Sequence, residues 1–218
     1  MIKYKKFSAL FFTVCLVMIL LIGCSNQQST IGPAELTASQ QEVINLLSLS
    51  QGQEILVFDF QTVETYKNME FWVAVYEYGV LVDNIPAGLA MQSDEGSLFE
   101  GQLVITIDHS HNRDNFSWRF VLTNKNGGRS SSYGSLQVPN AATMGHSFGP
   151  IIEPVTIQEN TEFVLHISKF SQDGFRVYND EHQIFLEQPQ LLERYPYAHI
   201  IKGRFSNDNP TWEDDDEV

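Results

Sequence analysis

Phe116-Ser117-Trp118-Arg119-Phe120-Val121-Leu122 is the stretch whose reading decides the fold. Its large apolar side chains recur at every second position, which sets Phe116, Trp118, Phe120 and Leu122 on one face of an extended chain and Ser117, Arg119 and Thr123 on the other. That period is a strand's. Upstream, Leu103-Val104-Ile105-Thr106-Ile107 predicts a hairpin partner, joined to it through His109 to Asn115, with one face of the hairpin solvated. Downstream, Asn124-Lys125-Asn126-Gly127-Gly128-Arg129 is the strongest turn signal in the chain, and it leads into Ser130 to Val138, a polar, edge-like strand.

The same period extends outward from this centre. Ile55 to Phe60 and Phe71 to Tyr76 are strand-like runs rich in β-branched and aromatic residues, separated by the polar segment Thr62 to Asn68. Beyond the hairpin, Pro139 to Pro154 reads as turn-rich. Val155 to Ile157, Glu162 to Phe170, Phe175 to Tyr178 and Ala198 to Phe205 read as further strands, with a short helical turn near Pro189 to Tyr195. Alternation within Glu162 to Phe170 assigns Phe163, Leu165 and Ile167 to one face and Val164, His166 and Ser168 to the other. Only Glu35 to Leu49 carries helical spacing, through Val43, Ile44, Leu46 and Leu47, with Thr37 or Ser39 as its cap. No crossover helices separate the strands. The expectation is an all-β fold, mainly an antiparallel β-sandwich, with one N-terminal helix, occupying residues 35–205 as a single domain.

The chain's beginning states a compartment. Lys3, Lys5 and Lys6 precede 16 uncharged residues, Phe7 to Ile22, as the basic and apolar regions of a secretory signal require. Leu21-Ile22-Gly23-Cys24 resembles the lipobox of bacterial lipoproteins, and Ser25 to Thr30 resembles the polar tether that follows it. The resemblance implies that residues 1–23 are a cleaved signal peptide, that Cys24 becomes the lipidated first residue of a 24–34 tether, and that the mature protein sits on the extracytoplasmic face of the cell membrane. Two or three acyl chains anchor far more firmly than one, because each buried methylene contributes about 0.8 kcal/mol. The lipid bilayer is thus the first expected partner.

Composition narrows the rest. The leader holds three of the 13 Lys and Arg and none of the 27 Asp and Glu, so the mature chain carries 10 basic against 27 acidic residues, a net of −17. Such a field repels phosphate backbones, which excludes nucleic acid and favours cations or basic partners. Cys15 leaves with the leader and Cys24 is the lipid site, so neither a disulfide nor a cysteine metal site is expected. Residues 206–218, rich in Asp and Glu with Trp212 as the one large apolar side chain, read as a disordered acidic tail.

Three constellations bear on chemistry. Gly145-His146-Ser147-Phe148-Gly149 matches G-x-S-x-G and resembles the nucleophile elbow of α/β-hydrolases, which implies Ser147 as nucleophile with Asp173 or Asp180 and His182 or His199 completing a triad. The surroundings differ from that family's: Pro150 and Pro154 leave no room for the helix whose first amides would form the oxyanion hole. In the hairpin loop, His109 and His111 are spaced to share a metal ion, with Asp108 or Asp114 beside them and His146 or His166 as ligands from elsewhere. Trp72, Tyr76 and Tyr78 share one strand face, where exposed rings would stack on sugars, although Phe71, Val73 and Val75 make the opposite face apolar and predict a strand covered on both sides. Phosphate loops, dinucleotide fingerprints and H-E-x-x-H are absent from the sequence, and no cofactor is expected. The sequence therefore points to an anchored binding or interaction module with an envelope protein or glycan as partner; an envelope hydrolase or metal-dependent enzyme using Ser147 or the His109/His111 loop is the alternative.

Overall fold

A computed structural model describes residues 28–51, 53–108, 115–174 and 182–208. Cys24, the His109/His111 loop, Phe175 to Tyr178, Asp180 and all but the first residues of the acidic tail lie outside these. Among the described residues the chain is an all-β sandwich of two antiparallel sheets. The first sheet has the spatial order β7 (Arg129–Gln137), β6 (Asn115–Asn124), β5 (Glu100–Asp108), β2 (Gln53–Gln61), β1 (Thr30–Pro33) and β9 (Val155–Thr156). The second has the order β4 (Val80–Ser97), β3 (Tyr66–Glu77), β11 (Tyr197–Ser206), β10 (Phe163–Ser171) and β8 (Gly145–Pro150).

The deciding stretch behaves as its alternation requires. In β6, Phe116, Trp118, Phe120 and Leu122 are buried, and the register sets Ile107, Ile105 and Leu103 of β5 opposite the last three. On the other side Trp118 faces Gly134 of β7, where a Cβ would come within 2.6 Å of the indole. At one end of the core the Phe205 ring lies 5.6–6.5 Å from the rings of Phe60, Tyr66, Phe99 and Phe163, which ties four strands and a loop into one aromatic knot.

The second sheet is apolar on both faces. Phe71 and Val73 look into the sandwich, while Trp72, Ala74 and Tyr76 look outward and are covered by Phe185 of the short helix α2 (Ile184–Glu187) and by Leu192 and Tyr195. The strand is therefore covered on both sides, as its apolar pattern predicts: Trp72 and Tyr76 are buried and offer no sugar platform, and Tyr78 stands apart in the exposed β3–β4 turn.

Other expectations change. Residues 30–33, read as the end of a tether, pair with β2, and Ile31 is fully buried, so the folded domain begins before residue 35. The helix α1 covers Ala38–Gln51, with Thr37 capping it: the Thr37 Oγ1 accepts from Gln40 N at 3.3 Å and the Gln40 Oε1 accepts from Thr37 N at 2.9 Å. Strand β4 has no counterpart among the strands read from the sequence, because Pro86 and the Asp83-Asn84 pair break its alternation; at a sheet edge proline sacrifices no ladder bond. Gly145–Pro150, read as a loop, is the other edge strand of that sheet. Most consequential is a register shift between Val164 and His166 in β10. It reverses the expected alternation, so Ile167 joins the outer cluster while Phe170 joins the inner one. No helix among the described residues is long and apolar enough to cross a membrane.

Candidate functional site

The reversal in β10 turns His166 and Ser168 inward, alongside His199 on β11 and His146 on β8. His199 pairs across to Ser168, Ser168 to Phe148, and His146 to Phe170, which makes a polar layer inside an aromatic frame at the end of the sandwich where β2 and β6 begin. The first sheet contributes Glu54, whose Oε2 lies 3.0 Å from the His166 Nε2, and Phe116, whose ring lies 4.6 Å from that of His199. Phe170 stands between the other two imidazoles, 4.4 Å from His146 in a stacked arrangement and 5.4 Å from His199.

Environment fixes the chemistry of these groups. His199 is fully buried and neither ring nitrogen has a hydrogen-bond partner among the described residues; burial, with His146 and His166 nearby, pushes its pKa down to about 3. It is a neutral imidazole at physiological pH. Phe170 stands between the His146 and His199 rings, and no group of three His, Cys, Asp or Glu side chains among the described residues is placed to hold a metal ion.

Above this layer a cavity of about 330 Å³ opens at the end of the sandwich, with Phe116, Phe170 and Met144 as its apolar wall and Asp108, Asn115 and His146 as its polar one. Apolar walls with a few convergent polar groups are the usual form of a small-molecule site. Asp108 and Asn115 are also the residues on either side of the segment carrying His109 and His111, which lies outside the described residues.

Ser147 sits elsewhere. It pairs across the β8–β10 ladder with Lys169, on the outer face of the second sheet, whereas His199 is on the inner face. That separates Ser147 from His199 as a triad partner. The serine is followed by Phe148-Gly149-Pro150 in extended strand, so no helix N-terminus backs it, in contrast to a nucleophile elbow. His182 directs its Nε2 to the Gly149 carbonyl at 3.1 Å. Lys169, which sequence reading passed over, is buried over the rings of Tyr195 at 5.4 Å and Phe185 at 5.8 Å, and burial, then Arg194, lowers its pKa.

Sequence reading named His146, His166 and His199 individually and did not group them, since their grouping depends on strand order and on a bulge. A family model described as the YgaN domain matches residues 30–195, starting at the first residue of β1. No curated protein and no solved structure matches the chain.

Proposed function

The chain belongs to the YgaN domain family, and on that premise we propose that it is a membrane-anchored extracytoplasmic lipoprotein whose sandwich serves as a binding module. The observation that carries the binding reading is the cavity over the histidine layer, walled by Phe116, Phe170 and Met144 and edged by Asp108, Asn115 and His146. What supports the anchor is the sequence itself: a basic start, 16 uncharged residues and Leu21-Ile22-Gly23-Cys24. The net charge of −17 on the mature chain and Asp108 at the cavity's edge favour a cationic or basic ligand, free or presented by an envelope protein.

Two measurements test the two halves. Cys24→Ala should abolish incorporation of labelled palmitate and release the protein from the membrane fraction or leave it unprocessed; a processed variant that fractionates like wild type, or a wild type that takes up no palmitate, would refute the anchor. For the cavity, titration with small cationic aromatic amides should shift the NMR signals of the Met144 methyl and the His146 ring, and Met144→Trp should remove the shift of the His146 ring. Shifts scattered over the acidic surface with Met144 unmoved would refute the site.

An envelope hydrolase acting through Ser147 is the second reading, and one observation favours it: Ser147 lies directly opposite Lys169, a buried amine whose proton is held less tightly than usual. A fluorophosphonate probe that labels wild type but neither Ser147→Ala nor Lys169→Met would establish it. Unlabelled wild type would remove it.

A further inference from the structure

The two ends of the sandwich differ, and the chain enters at the end opposite the cavity. Ser29, just before β1, accepts a hydrogen bond from the Val63 backbone N–H at 2.9 Å. Thr62 and Phe99 exchange bonds of 2.8 Å, continuing the β2–β5 register, so that Val63 and Leu98 lie opposite each other at the tip of that ladder. Both are apolar and open to solvent, Val63 at 42% and Leu98 at 61% exposure. From Cys24 to Ser29 is five residues, a reach of at most about 18 Å even when fully extended. An acyl group on Cys24 therefore keeps this tip beside the lipid.

We propose that Val63 and Leu98 form a bilayer-contacting tip that stands the domain end-on to the membrane, with the cavity facing away; this rests on lipidation of Cys24. The nine residues of β2 run from Gln53, paired with the cavity residue Asp108, to Gln61 next to the tip, which sets the two ends about 30 Å apart. Charge selects the lipid. At this end Lys125 is paired with Glu100 at 2.7 Å, and the exposed Lys67 and Arg129 are outnumbered once Glu64, Glu159 and Asp208 are counted, so no basic patch is presented and the contact prefers zwitterionic headgroups to anionic ones. The cavity then samples the solution beyond the headgroups.

The test uses the full chain, processed in cells and reconstituted in phosphatidylcholine vesicles carrying a headgroup-level nitroxide quencher. A bimane on Leu98→Cys should be quenched at least twofold more than one on Val80→Cys, because Val80 starts β4 at the cavity end and is 64% exposed. Val63→Asp in the Leu98→Cys background should lower the quenching of that label toward the value seen at Val80→Cys. Equal quenching with acyl chains found on Cys24 by mass spectrometry overturns the end-on contact while leaving the anchor in place. Absence of acyl chains overturns both.

Discussion

His199 shows how one side chain couples this sandwich to pH. Its imidazole faces Phe116 and Phe170, has His146 and His166 as titratable neighbours, with Glu54 on the far side of His166, and is neutral down to about pH 3. In the unfolded chain an imidazole binds its proton near pH 6.5, so between these values the unfolded state holds more protons than the folded one. Stability is full above about pH 6.5 and falls as the pH drops, by up to about 1.4 kcal/mol per unit from this residue. Urea titrations at pH 7, 6 and 5 should show that slope in wild type, and His199→Phe should flatten it. Arg204 carries a second residue-scale prediction: its Nη2 lies 2.7 Å from the Oε2 of Glu70, which is fully buried. Arg204→Ala should lower stability by about 3–5 kcal/mol, read as a reduced urea midpoint, because it leaves a carboxylate inside the protein without its counter-charge.

At the scale of elements, the strands differ in how tightly they are specified. Strand β7 lies against the Trp118 indole through Gly134, so Gly134→Ala should cost about 1–3 kcal/mol and Trp118→Phe should recover part of it, as thermal unfolding of the single and double variants would show. Helix α1 is at the other extreme: Val43, Leu46 and Leu47 are 44–61% exposed, and local capping does much to hold it. Thr37→Ala should weaken it by about 1 kcal/mol, visible as roughly fivefold faster amide exchange within α1 and little change in global unfolding. The β10 bulge is the element with the widest consequence, because it decides which side of the sheet His166, Ser168 and Lys169 occupy.

For the whole molecule, chain entry and cavity lie at opposite ends of one sandwich, and the two edges are finished differently. Where β4 approaches β7 the sheets are tied by Ser132 Oγ donating to the Ala87 carbonyl, while at the opposite edge Ile151 N donates to Leu165 O at 2.9 Å and only extends the β8–β10 ladder within the second sheet. A second apolar cluster under Phe185, Leu192 and Tyr195 leaves the second sheet with little free face, so interaction falls to the ends and to the β8 and β4 edges.

The sequence by itself determined the all-β class, the β5–β6–β7 meander and the position of the helix, because alternation, turn chemistry and capping are local properties that Phe116 to Leu122, Asn124 to Arg129 and Thr37 express unaided. Strand β1 stayed hidden because four residues are too few to show a period, and β4 because proline and paired polar residues erase one. Only the tertiary structure decided the site. Strands far apart in sequence, β2, β6, β8, β10 and β11, had to assemble before His146, His166, His199 and Glu54 shared a layer, and a single register shift in β10 had to face two of those groups toward each other. Long-range pairing and a one-residue bulge leave no trace in local periodicity, so the site was spelled out residue by residue and still could not be read as a site.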